Sequence, residues 1–408
     1  NIAKHKFISF INIFGLTAGL TCCLVIVTYI INELSYDKFN KNADRTYRIT
    51  RTFYSPDGTE NLHLSSIAPA FGPLLTTAFP DIEKMTRVLP TGVTVLHYKD
   101  KLFNEKNSFF ADENFFDVFT MDVLKGDKRT ALNDPYNIML TEEVAKKYFG
   151  NEDPMNKTIL LDNVKQEYKV TGIFKPFPSN SHMHPDILMS FNTLRDSAIY
   201  GEKQLQTSFS NNSFFTYVVM PKQYNVEMIN RRFPAFLDKY VHLQNTPPNA
   251  KTSQRTKLTV QKLTDIHLRS NLDDEIEQNG DITRVYIFSV IAVFILLIAC
   301  INYMNLSTAR SVLRAKEIGI RKAIGAQRKE IIKQFLSESV LITWLSLILA
   351  TVLTWVLLPY INSISHLDMS ISDLNKLPVL AGLLMLPFFI GLVSGIYPAI
   401  FMSSFIPV

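Results

Sequence analysis

His182, His184 and Asp186 alternate along an extended stretch, and imidazole and carboxylate are donor types that a divalent metal takes. Alternation on one segment with no fixed partner elsewhere makes a polar loop the better reading, and no metal is expected. The eight histidines are scattered, and no nucleophile stands beside a base in a triad-like pattern. A G-x-x-x-x-G-K-[ST] phosphate loop does not occur, and Gly319 and Gly325 are wrongly spaced for one. Catalysis, a cofactor and an ATP site of the chain's own are therefore not expected.

The richest local chemistry is basic. Between Ser307 and Ser339 lie Arg310, Arg314, Lys316, Arg321, Lys322, Arg328, Lys329 and Lys333, against Glu317, Glu330 and Glu338. Within this segment Ile320 and Ile324 share a helical face, and Glu317 precedes Arg321 by four residues, an ion-pair order worth about 0.2–0.5 kcal/mol. Gly325 would cost about 1 kcal/mol inside a helix, so a bend is expected at Gly325-Ala326. On charge alone this is an amphipathic segment resting on anionic lipid.

The elements that position this segment are membrane spans. Phe7 to Ile31, Val285 to Leu306, Val340 to Ile361 and Leu377 to Met402 carry no Asp, Glu, Lys or Arg. Each exceeds the roughly 20 residues that cross a hydrocarbon core of about 30 Å, and a soluble helix of that length needs a charged face. The first span is an anchor and not a secretory signal, because its apolar run is too long and no small-residue cleavage site follows it.

The net charge of +5 could suggest nucleic acid, but its distribution does not. Residues 32–284 carry 31 basic and 32 acidic side chains, whereas 307–339 carry a net +5. Basic residues gathered in a short loop between spans mark the cytoplasmic side. The expected organisation is a cytoplasmic N-terminus (1–6), span 1 (7–31), an extracytoplasmic domain (32–284), span 2 (285–306), a cytoplasmic segment (307–339), span 3 (340–361), a short outside loop (362–376), span 4 (377–402) and a cytoplasmic end (403–408). The three cysteines, Cys22, Cys23 and Cys300, fall in spans, so the outside domain has no disulfide. Starting at Asn1 and stopping just after a span, the chain is expected to be a piece of a longer protein.

Within the outside domain, strands and helices alternate. Alternating residues predict strands at Tyr47 to Phe53, Met85 to Leu89, Thr94 to Tyr98, Thr158 to Leu161, Tyr168 to Phe174, Phe214 to Val219 and Leu258 to Leu263. Helical spacing predicts Ala70 to Ala78 after capping serines Ser65 and Ser66, a short helix at Phe115 to Phe119 capped by Asp112, one from Thr141 closed by Gly150, and Val226 to Tyr240. The acidic run Asp273, Asp274, Glu275, Glu277 and Asp281 reads as a solvated stalk. The fold class expected is an α-helical membrane protein with four transmembrane helices and a large mixed α/β extracytoplasmic domain in two lobes. Gly15 and Gly19, and again Gly391 and Gly395, form G-x-x-x-G pairs that allow close helix packing, within one subunit or between two.

The cytoplasmic stretch KEIGIRKAIGAQRKEIIKQFLSES closely resembles the loop after the second span in MacB/FtsX-like permeases of ABC transporters. NSFFADENFFDVF, Gly126, IMLTEEVAKKYFGNEDP and YKVTGIFKPFP resemble that family's extracytoplasmic core, and SGIYPAIFMSSFIPV resembles its last span. One departure is Asn156, where the family commonly has glycine. The resemblance implies a permease that transmits closure of separate cytoplasmic ATPase subunits to its outside domain, in the bacterial inner membrane. It implies that Glu317, Ile318, Gly319, Arg321, Lys322, Ala323, Gly325 and Ala326 form the ATPase-docking surface. The implied partners are that ATPase, a second permease copy or missing second half, membrane lipid and an extracytoplasmic protein, with no nucleic acid. The alternative is a membrane receptor, or a regulator of a cell-envelope enzyme, with a ligand-binding outside domain.

Overall fold

The computed structural model describes residues 6–241, 251–313, 320, 324, 327–365 and 367–403. It divides into two compact units, one of residues 1–34 with 282–408 and one of residues 35–281.

The helical unit contains α1 (Lys6–Glu33), while the α/β unit carries six shorter helices: α2 (Phe71–Ala78), α3 (Phe115–Val118), α4 (Glu142–Phe149), α5 (Glu202–Thr207), α6 (Glu227–Tyr240) and α7 (Ile266–Arg269). The remaining helices of the first unit are α8 (Ile282–Leu313), α9 (Arg328–Ser365) and α10 (Leu377–Ser403). α1, α8, α9 and α10 are long and apolar enough to cross a membrane. Their shared core joins Leu16, Leu20 and Leu24 to Ala299, Tyr303, Ile342, Ala350 and Ile390. Outward-facing Phe294, Ile298, Trp355 and Phe389 remain more than half exposed, an arrangement that water would penalise and lipid favours. At 1.5 Å per residue α9 runs about 57 Å, longer than a bilayer core, so one end projects beyond the hydrocarbon.

The α/β unit is built on one sheet of thirteen strands: β1 (Thr46–Tyr54), β2 (Glu60–Leu64), β3 (Lys84–Pro90), β4 (Thr94–Tyr98), β5 (Lys101–Glu105), β6 (Ser108–Ala111), β7 (Val123–Lys125), β8 (Asn137–Thr141), β9 (Thr158–Leu161), β10 (Gln166–Phe174), β11 (Ile187–Ser190), β12 (Phe215–Val219) and β13 (Thr256–Lys262). Their order is β13-β1-β12-β3-β6-β11-β8-β10-β9-β4-β5, with β2 on β1 and β7 on β10. β8 with β10 and β6 with β11 run parallel, and the other pairs are antiparallel.

Side chains of a strand alternate between faces, and the cores follow that period. Ile138 and Leu140 join one core under α4, while Met139 between them joins another under α3. At the far end Val218 joins a third core, beneath α2 and α6, while its neighbours Tyr217 and Val219 join the α3 core. The two lobes are thus the two halves of a single sheet, each with a core on the same face.

Local signals behave unequally. The Thr141 hydroxyl accepts from the Val144 amide and Gly150 ends α4 at φ 62°, as the sequence predicts. Asn156 takes φ 62°, a conformation that asparagine tolerates better than other side chains, so the glycine is replaceable there. Gly126 is not replaceable in this way: at φ 90°, a Cβ on it would lie 2.3 Å from the Thr171 carbonyl oxygen. Ser65 and Ser66 do not cap α2. Their hydroxyls donate to the carbonyls of Asp274 and Asn212, because tertiary neighbours compete for them. Asp112 does not cap α3 either, since both its oxygens are taken by the Arg87 guanidinium.

Candidate functional site

Residues 35–45, which follow α1 in the chain, and residues 270–281, which precede α8, are both bound into the α/β unit. The leading segment starts with Ser35, whose hydroxyl accepts from Asn180 Nδ2 at 2.8 Å, and Tyr36, whose ring stacks on His267 with centroids 3.3 Å apart. Asp37, at φ 59°, donates its amide to the Asn180 carbonyl. Its Oδ1 lies 2.8 Å from His182 Nδ1, and His182 Nε2 lies 2.8 Å from the Tyr217 hydroxyl. The imidazole thus bridges the Asp37 carboxylate and the Tyr217 hydroxyl, one ring nitrogen to each. Asp37 and His182 are buried and Tyr217 is fully enclosed, so this chain of polar groups is closed to solvent and positions backbone; it does not present a nucleophile. Burial raises the Tyr217 pKa well above the usual phenol range.

The trailing segment is held by its carboxylates. Arg48 of β1 is directly opposite Tyr217 in the sheet, and its guanidinium is fully buried. Glu275 meets it with two oxygens, at 2.6 Å from Nη1 and 2.8 Å from Nη2. Gln261 and Ser270 also accept from Nη2, at 2.7 and 3.2 Å. Glu277 meets His184, its Oε2 lying 2.8 Å from Nδ1 and its Oε1 2.7 Å from the backbone amide. Burial lowers the His184 pKa, but the Glu277 hydrogen bond and charge, helped by the Pro178 carbonyl, outweigh it and raise the value above 6.5. Asp273 exchanges backbone bonds with His63 and Ser65 along β2.

The acidic run is therefore not a free solvated stalk: a buried arginine and a half-buried histidine hold Glu275 and Glu277, while Asp273, Asp274 and Asp281 stay exposed. His182 and His184 lie on the loop between β10 and β11, the first buried and the second half-buried. Two residues apart, they grip the leading segment through Asp37 and the trailing one through Glu277. Asp186 lies apart, accepting from Asn107 Nδ2 at 2.9 Å, with a pKa raised mainly by burial. No group of three metal-type ligands occurs among the described residues. What sequence reading missed was Arg48, and the available signal was its place in a strand whose both faces are buried, where a charge requires a carboxylate from elsewhere.

The glycines lie at helix contacts within the membrane unit. A Cβ on Gly19 would stand 2.6 Å from Ala299 Cβ, and one on Gly15 3.1 Å from Asn302 Nδ2, so both face α8. On α10, a Cβ at Gly391 would lie 2.7 Å from Val340 Cα and one at Gly395 2.8 Å from Ser339 Oγ, both on α9. Glu317, Ile318, Gly319, Arg321, Lys322, Ala323, Gly325 and Ala326 lie outside the described residues. Of that segment Ile320 and Ile324 are described; the Ile324 amide donates to the Ile320 carbonyl, and the side chains are 53% and 82% exposed.

Comparison with known proteins finds a MacB-like periplasmic core domain over residues 9–235 and an FtsX-like permease C-terminal domain over residues 289–406. The ABC transporter permease YvrN of Bacillus subtilis is 22% identical, across all of this chain and 96% of its own length. The macrolide export ATP-binding/permease protein MacB of Aggregatibacter actinomycetemcomitans is 23% identical over 84% of this chain, which spans 49% of that longer protein. Among solved structures, a permease domain from Porphyromonas gingivalis matches 55% of this chain at 19% identity and a TM-score of 0.47.

Proposed function

This chain belongs to the family of permeases with a MacB-like periplasmic core and an FtsX-like C-terminal domain, and from that premise we propose that it transmits force rather than conducting a substrate. It is an ABC transporter permease of the MacB/FtsX type. The ATP-hydrolysing subunit is a separate cytoplasmic partner in this reading, docking on Glu317 to Ala326, with the α/β unit on the far side of the bacterial inner membrane. Exposed Ile320 and Ile324, one turn apart, supply the apolar surface that such docking uses. A second permease copy, or a second half of a longer permease, completes the assembly, and close glycine contacts stiffen each helix pair that carries the movement.

The observation that carries this reading is the bidentate Arg48–Glu275 pair. It fastens the segment preceding α8 to β1, next to the edge strand β13, and His182 and Asp37 hold the segment following α1. In this reading the membrane helices act on a folded body whose two flanking segments are held to it by buried ionic and hydrogen-bonded attachments. Export, or handling of a substrate outside the membrane, follows from motion of that body.

The test uses the assembly purified from its own membrane with whatever ATPase accompanies it. Spin labels at exposed Asn104 of two copies should change their separation between the nucleotide-free and the vanadate-trapped states. Glu317→Lys should deplete the ATPase from the preparation. An unchanged separation in every nucleotide state, with the ATPase bound and turning over, would remove force transmission as the function.

A further inference from the structure

Beside the contact of α9 with α10 lies a groove of about 660 Å³, walled by Leu336, Val340, Trp344 and Phe388 and headed by Lys329 and Lys333. Gly391 and Gly395 let the two helix backbones approach closely beside it, and Trp344 meets Phe388 edge to face at 5.9 Å. The lysines are four residues apart on one helical face, both exposed, and among the described residues no carboxylate pairs with either. Glu330, on the same helix, turns back to accept from the Gln327 amide. From Lys329 to Trp344 the helix rises about 22 Å, which is about half of a bilayer of 40–45 Å including its headgroups.

We infer that this groove binds an anionic phospholipid, its acyl chain along Leu336, Val340, Trp344 and Phe388 and its phosphate on Lys329 and Lys333. An apolar wall one leaflet deep under two cations that no described carboxylate pairs matches a molecule that is itself an acyl chain under an anion. The competing occupant is a second copy of the chain. The four charge-free stretches of such a copy contain no carboxylate, so they could fill the apolar part but not balance the lysines, whereas one anionic phospholipid supplies both. Juxtamembrane lysines beside an apolar surface favour anionic lipid by about fivefold each.

Two tryptophans occur in the chain, Trp344 in the groove and Trp355, which is 64% exposed on the same helix. Each can be read alone, in full-length protein carrying Trp355→Phe or Trp344→Phe. The protein is placed in vesicles of phosphatidylcholine and phosphatidylglycerol in which one or the other lipid is brominated. Trp344 fluorescence should be quenched by brominated phosphatidylglycerol at a mole fraction at least fivefold lower than by brominated phosphatidylcholine. Lys329→Gln with Lys333→Gln should bring the two lipids to parity, while Trp355 responds to both equally throughout and reports intact insertion. Equal quenching of Trp344 by both lipids in the unsubstituted lysine background overturns the inference. So does protection of Trp344 from both lipids, the result expected when a second copy covers the groove.

Discussion

Arg48 and Arg51 lie three residues apart in β1, both with no exposed surface, yet their charges are handled in opposite ways. Arg48 faces the α3 core and receives a bidentate carboxylate from Glu275, far along the chain. Arg51 points to the other face, where it donates to the Phe209 carbonyl, Asn212 Oδ1 and Thr256 Oγ1, and sits 4.3 Å from the Phe53 ring and 5.0 Å from that of Phe71. No carboxylate bonds to Arg51 among the described residues. Burial accordingly pushes its pKa down to about 9, leaving it charged at neutral pH. A buried arginine balanced by dipoles and ring faces organises a local loop, whereas one balanced by a distant carboxylate ties a chain segment to the sheet.

The largest expected effect comes from breaking the tie. Glu275→Ala leaves the Arg48 charge buried without a counter-ion, which costs about 3–5 kcal/mol. Urea unfolding of the excised unit 35–281 should show that loss, and Arg48→Met combined with Glu275→Leu should recover most of it, because apolar replacement of both partners is often near neutral. A loss below about 1 kcal/mol for Glu275→Ala would erase the contrast between the two arginines.

Arg51→Met should cost less, under about 2 kcal/mol. Its lost hydrogen bonds, worth about 1 kcal/mol each, are offset by removal of an unbalanced buried charge. The same unfolding measurement checks it, together with faster amide exchange confined to residues 209–212. A loss as large as that of Glu275→Ala would mean that dipoles and rings bind the guanidinium as firmly as a carboxylate does.

The smallest effect belongs to His184, at the solvent edge of the tie. Its folded pKa is raised above 6.5, so its pairing with Glu277 stabilises fully below about pH 6.5 and is lost as pH rises through the raised value. Partial exposure limits the change to below about 1 kcal/mol. Amide exchange of residues 275–281 should accelerate between pH 6 and pH 8.5 beyond the intrinsic chemical rate, and His184→Gln should flatten that difference. An unaltered pH response in His184→Gln would exclude the histidine as its source.

β1 was legible because Tyr47, Ile49, Arg51 and Phe53 alternate with Arg48, Thr50 and Thr52. β8 and β11 were missed because Asn137–Thr141 and Ile187–Ser190 are buried on both faces, so every residue reads alike and no period of two appears. Capping by Thr141 was legible because donor and acceptor are three residues apart. Capping by Ser65, Ser66 and Asp112 was misread because each polar group found a partner distant in sequence, and spacing cannot report such a competitor.

What the sequence by itself determined is the membrane class, with four charge-free stretches too long for water, and the mixed α/β character of the domain between the first two. Solvent transfer of whole segments decides these, and it depends on composition and period alone. Only the tertiary structure decided that the acidic run is an attachment, that His182 and His184 brace two chain segments, and that the two arginines of one strand have different partners. Those outcomes depend on which groups share a small buried volume where an unpaired charge is costly, and partners there are chosen by folding from positions up to 227 residues apart.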